Sequence, residues 1–160
     1  MGLPEGIVDL VALAGMMHDI GKIGIDERIL NSEGKLSAEE RMEIQRHSEI
    51  GYRILSSSDE FVEISKYVLE HHERFDGTGY PRGLKGHDIT LGARIIAVAD
   101  SFDAIVSYRT YRESLSQEEA AKEIIRCSGV QFDPEVVEAF VGKVLSGEAA
   151  SAADEQPERF

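Results

Sequence analysis

FVEISKYVLEHHERFDGTGYP, residues 61 to 81, starts as an amphipathic helix and ends as a loop. Ile64, Val68 and His71 recur at helical spacing and share one face, with Leu69 and His72 adjoining it. Two imidazoles therefore end a core-facing stripe, and Gly77, Gly79 and Pro81 prevent the helix from continuing. Neighbouring residues on a regular helix point about 100° apart, so His71 and His72 can face one target only where the helix end distorts. The glycine-rich segment after Glu73 permits that distortion.

Upstream, Leu10, Val11, Leu13, Ala14 and Met17 form an apolar helical stripe leading into His18 and Asp19, after which Gly21 and Gly24 loosen the chain. Ser37 with Glu40 has capping-box spacing and opens a helix predicted to run through Leu55, its inner positions including Ile44, His47, Gly51 and Ile54. Ser57 with Glu60 repeats that spacing before residues 61–72. Downstream, LGARIIAVADSFDAIVSY, residues 91–108, is an apolar helix carrying Asp100 and Asp103. Ser116 with Glu119 caps a further helix, and Asp133 with Pro134 reads as N-cap and N1 of a last helix ending near Gly147. No strand pattern competes. The fold class is all-α, a helical bundle, with one domain over residues 1–146 and a disordered acidic tail over 147–160.

Composition narrows the function classes. The 160 residues carry 17 Lys plus Arg against 30 Asp plus Glu, a net charge of -13, which excludes a broad basic face for duplex nucleic acid. No apolar run approaches the roughly 20 residues that span a bilayer. The N-terminus lacks the basic start and cleavage site of a secretory signal, so a cytoplasmic protein with no membrane partner is expected. The single Cys127 has no intrachain partner and reads as a small core residue.

Singly, each histidine has a bland reading as a hydrogen-bonded core residue. Together, His18, Asp19, His47, His71, His72 and Asp100 lie on four predicted helices, each on or beside its buried stripe. An isolated buried carboxylate costs several kcal/mol or more, and Asp100, among Ile96, Ala97 and Ala104, has no oppositely charged helix neighbour. A divalent cation would resolve that. Imidazole nitrogens and carboxylate oxygens suit borderline transition metals, and one Asp can bridge two ions.

HDIGKIGI at 18–25, His47, HHERFDGTGYP at 71–81 and ADSFDAIVSYRTYR at 99–112 together resemble the HD-GYP family, a branch of the HD metal-dependent phosphohydrolases. The resemblance covers about residues 3 to 145, and its HHExxDGxGYP string is far more specific than the HD pair. It implies an HD-domain-like bundle with a metal centre in its core, hydrolysing cyclic di-GMP to linear pGpG or to GMP. It also implies that His18, Asp19, His47, His71, His72 and Asp100 are metal ligands, with Asp19 bridging two divalent ions. Iron or manganese is favoured, while zinc and nickel also suit the donors. Lys22 matches the lysine that reaches the scissile phosphate, a compact cation suited to developing charge. Tyr80, Arg109 and Arg112 match groups that hold the bases and phosphates, the arginines as planar forks. Asp76 and Gly77 read as a turn, and Asp103 reads either as a carboxylate hydrogen-bonding a ligand histidine or as a residue with no part in the site.

One departure stands out. Family domains usually begin with a further helix that supplies another histidine, whereas 17 residues precede His18 here and none is His. Glu5 and Asp9 fall on the solvent face of the first helix. The expectation is a domain short at its N-terminus, joined in a longer parent to a sensory or receiver domain. Two alternatives stay open: a catalytically impaired cyclic-dinucleotide-binding or interaction module, and a phosphohydrolase for another cyclic dinucleotide.

Overall fold

The computed structural model describes residues 1–32, 34–107 and 116–145. Eight α-helices succeed one another among them: α1 Glu5–Met17, α2 Glu27–Leu30, α3 Ala38–Gln45, α4 His47–Leu55, α5 Val62–Glu70, α6 Leu91–Val106, α7 Gln117–Arg126 and α8 Pro134–Leu145. Short 3₁₀ turns occur at Ile20–Gly24, Asp59–Phe61 and Gly86–Asp88. The described residues contain no strand, only an isolated bridge between Ser128 and Phe132.

α6 is the central element. Ile96 and Val98, two residues apart, point to nearly opposite sides of the helix, and both are buried. Ile96 packs with Ala14, Leu55, Ile64, Tyr67 and Val68 from α1, α4 and α5. Val98 packs with Ile124, Phe132, Val136, Val137 and Val141 from α7 and α8 and their connection. A helix covered on both sides must be apolar nearly all round, which explains the run LGARIIAVA. Each such buried aliphatic side chain contributes about 1.5–3 kcal/mol.

Two predicted capping boxes form as read. Ser37 Oγ accepts from the Glu40 amide and Glu40 accepts from the Ser37 amide at 2.8 Å. Ser116 and Glu119 repeat the exchange at the start of α7. Asp133 caps α8 by accepting from the Glu135 amide at 2.8 Å.

Other local expectations give way to packing. The helix opened by Ser37 divides at Arg46, which keeps helical backbone angles, into α3 and α4. His47, Gly51 and Leu55 become the buried stripe of α4, while Ile54, predicted to face inward, is 41% exposed. The Ser57–Glu60 box does not form. Ser57 Oγ donates instead to the Ile54 carbonyl at 2.7 Å, and α5 starts only at Val62, after the 3₁₀ turn. α5 also stops at Glu70, so His71 and His72 lie just past its last turn rather than extend it. α6 ends at Val106 rather than at Tyr108. The predicted tail, and Arg109 and Arg112, lie outside the described residues.

Candidate metal centre

Each core stripe continues one helical turn into a polar residue, and these residues meet at one end of the bundle. Leu10 and Ala14 lead to His18, Ile64 and Val68 to His71 and His72, and Ile96 to Asp100, while His47 opens the stripe Gly51–Leu55. Apolar packing of the helices therefore aims the polar ends at one another. His18 and His71 ring centroids lie 5.2 Å apart, His47 and His72 5.0 Å, and His71 and His72 3.9 Å.

Three of the histidines are oriented in the same way. His18 Nδ1 lies 2.6 Å from the Gly15 carbonyl, His47 Nδ1 2.7 Å from Ile44, and His71 Nδ1 2.6 Å from Val68. A carbonyl can only accept, so each Nδ1 carries the proton and donates. The acceptors belong to last turns of α1, α3 and α5, where carbonyls lack intrahelical donors. Each ring thus caps a helix C-terminus and turns its Nε2 lone pair into the centre. The Nε2 atoms of His47 and His71 approach to 3.4 Å, and both residues are 1% exposed. With both rings neutral in this tautomer, that contact holds two lone pairs and no proton. Such a pair calls for a cation between them, and the helix C-termini, negative ends of their dipoles, favour one too. His47, His71 and His72 offer ligand atoms all within 4.8 Å of one another.

The carboxylates complete a second half of the site. His18 Nε2 lies 3.5 Å from Asp19 Oδ2 and 3.6 Å from Asp100 Oδ1. Asp19 faces both halves, with Oδ1 3.8 Å from His47 Nε2 and Oδ2 also 2.6 Å from Lys22 Nζ. The electrostatics divide in the same manner. Burial, reinforced by neighbouring imidazoles, pushes His71 down to about 3 and His72 to about 4. His47 is lowered too, again chiefly by burial. His18 is raised, chiefly by Asp100. Asp100 is lowered in turn by His18. Burial opposes ionisation of Asp19, yet Lys22 and the nearby imidazoles hold its carboxyl below the ordinary range. One half of the centre thus presents neutral nitrogens and the other anionic oxygens, with Asp19 between them.

The glycine-rich segment supports this arrangement. Asp76 and Gly77 make the predicted turn, with the Thr78 amide donating to Asp76 at 2.9 Å and Gly77 at φ +86°. Tyr80 is carried back over His72, ring centroids 4.9 Å apart. The sequence reading missed Glu73. Its carboxylate is 3% exposed and accepts from the Arg82 and Leu84 amides at 2.7 and 3.0 Å, pinning the loop behind Tyr80. Glu70, 5% exposed, does the same for the Thr90 amide ahead of α6. Glutamate directly after a helix-ending histidine pair, ahead of a Gly/Pro loop, was the available signal. Gly21 was undervalued too, since an ideal Cβ there would lie 1.9 Å from the His47 carbonyl. Only glycine lets the turn bearing Asp19 and Lys22 lie against α4. Of the two readings of Asp103, the one outside the site fits: it is exposed and accepts from Ser107 at 3.2 Å. Glu5 and Asp9 are exposed, as expected. An apolar groove of about 420 Å³ opens beside His18 and Asp100, walled by Val11, Met16, Ile95 and Ala99.

Fold and site define an all-α domain with a candidate centre of histidines and aspartates. The chain matches the HD domain family over residues 1–136, which leaves only the last helix turns and the tail unmatched. It is similar to a cyclic di-GMP phosphodiesterase of Thermotoga maritima, 49% identical over 88% of this chain and 39% of the relative. It is also similar to a cyclic di-GMP phosphodiesterase response regulator of Xanthomonas campestris, 43% identical over 88% of this chain and 38% of the relative. Among solved structures, a Vibrio cholerae cyclic GMP-AMP specific phosphodiesterase matches in fold with TM-score 0.61 at 24% identity, over 98% of this chain and 45% of that one. The chain belongs to the HD domain family, in the HD-GYP branch that its HHERFDGTGYP string resembles. It spans less than two fifths of the length of those two curated relatives. Among the described residues no helix is long and apolar enough to cross a membrane.

Proposed function

We propose that this chain is the catalytic domain, residues 1–146, of a metal-dependent phosphodiesterase that opens cyclic di-GMP to linear pGpG or carries it on to GMP. The observation that carries this reading is the pair of buried Nε2 lone pairs of His47 and His71, 3.4 Å apart with their Nδ1 protons committed to helix ends. The names of the relatives supply the substrate. His18, Asp19, His47, His71, His72 and Asp100 would hold two divalent ions, iron or manganese by preference, with Asp19 shared between the two halves. When bound, the ions supply an activated water and neutralise phosphoryl charge.

The chain's own groups do the rest. Lys22, now on Asp19 at 2.6 Å, is a compact ammonium on a flexible stem and can turn to a phosphoryl oxygen. Tyr80 stands over His72, where a nucleotide would approach, and Arg109 and Arg112 would bind its phosphates or guanine edges. Its setting would be the cytoplasm, within a longer parent that adds a sensory or receiver domain.

Metal content and cyclic di-GMP turnover of the purified chain, with Asp19→Ala as the control, test this. Bound metal without turnover would sink the enzyme reading. Turnover unchanged in Asp19→Ala would refute the shared carboxylate.

A further inference from the structure

Tyr80 has a second neighbourhood. Besides meeting His72, it lines a recess of about 210 Å³ whose other walls are Met42, Gln45, Arg46, Glu49 and Pro81. Arg46 keeps helical backbone angles, so Met42, Arg46 and Glu49, at i, i+4 and i+7, present one face toward the Tyr80–Pro81 loop. Pro81 and Glu49 also border an adjoining recess of about 170 Å³. The walls are of two kinds. Met42, Tyr80 and Pro81 offer a thioether, an aromatic ring and a flat pyrrolidine, surfaces that pack on a planar base. The polar edge is set by Glu49. Arg46 is held by both oxygens of Glu43, at 2.8 and 2.9 Å, and feels the Glu49 charge without a hydrogen bond to it, so the Glu49 carboxylate keeps its oxygens for a ligand.

We infer that this recess is a purine subsite selective for guanine, with Glu49 its specificity-determining residue. The inference rests on the cyclic di-GMP reading above and names the recess and the residue that would read its base. Guanine presents N1–H and its 2-amino group side by side, two donors that a carboxylate accepts together. Adenine presents a lone pair at N1, which the same carboxylate repels. Gln45 adds an amide that can donate to guanine O6. Base and phosphate of a nucleotide are joined through one sugar, so a base recess must abut the phosphate site. Tyr80, touching both His72 and the recess, meets that requirement.

The test compares kcat/KM of the manganese-loaded chain for cyclic di-GMP, cyclic di-AMP and bis(p-nitrophenyl) phosphate, a diester without a purine. Glu49→Gln is expected to lower kcat/KM for cyclic di-GMP by about 10- to 100-fold, mainly through KM, and to shrink its preference over cyclic di-AMP equally. Turnover of the base-free diester and metal content should stay unchanged. Glu49→Asp should restore part of the preference. Calorimetric binding of cyclic di-GMP in chelator, where nothing is hydrolysed, should weaken in Glu49→Gln by the same factor. An unchanged ratio between the two dinucleotides in Glu49→Gln, with wild-type turnover intact, would overturn the subsite alone. Wild-type protein that cleaves the base-free diester but neither binds nor cleaves either dinucleotide would overturn the function and the subsite with it.

Discussion

The Nε2 atoms of His47 and His71 face each other across 3.4 Å, each ring having spent its Nδ1 proton on a backbone carbonyl three residues earlier. That contact repels when both rings are neutral and becomes favourable only with a cation between them. Divalent metal is therefore expected to stabilise the chain by about 2.7 kcal/mol at a hundredfold excess over Kd. A thermal melt with and without manganese or iron in excess over chelator measures the shift. His71→Ala should abolish most of it, and a full shift in that variant would refute the ligand role.

Acid should weaken the metal-free fold before its carboxylates titrate. His71 and His72 are depressed to about 3 and 4, and His47 is lowered as well, so below the unfolded value of about 6.5 the unfolded chain binds more protons. Stability contributed by these rings is complete above that value and is lost as pH falls. His18 is raised, so its contribution is complete below about 6.5 and is lost only at higher pH. Between pH 6.5 and 5 His71 and His72 dominate, each costing up to about 1.4 kcal/mol per pH unit, and His47 acts in the same direction. Denaturant midpoints in chelator across that window should fall steadily, and a flat profile would contradict the buried neutral cluster.

Glu73 joins stability to placement of Tyr80. Glu73→Ala leaves the Arg82 and Leu84 amides without their acceptor, at about 1–3 kcal/mol for each amide that water cannot reach. Urea unfolding reads that loss. Cyclic di-GMP turnover in the folded variant should drop while metal content holds, because the loop carries Tyr80 and the metal donors lie outside it. Equal loss of metal would instead make Glu73 a support of the whole centre.

Gly21→Ala is expected to damage the centre although it removes no donor. The added methyl would need to occupy space 1.9 Å from the His47 carbonyl and 2.5 Å from the Gly51 nitrogen, both backbone atoms that cannot swing aside. The turn with Asp19 and Lys22 must then lift from α4, at about 1–3 kcal/mol or more by analogy with overpacked cores. Loss of stability and of metal affinity together, by melting and by metal titration, is the predicted signature.

By itself the sequence determined what depends on near neighbours. The apolar stripes, two of the three predicted capping boxes, the Asp133 cap and the Asp76–Gly77 turn all rest on contacts within a few residues. So does the orientation of three histidines, since each Nδ1 finds its carbonyl at i−3. Six candidate ligands could be named because each ends or opens a stripe. Tertiary structure alone decided how those ends meet. His47 reaches His71 across 24 positions, and Asp19 divides its oxygens between His18 and His47. The exposure of Ile54 has the same origin. A helical hydrogen bond spans four residues and can be read from a window, whereas the phase of α4 against α5 is set by burial of Leu55, Ile64 and Val68 in one core.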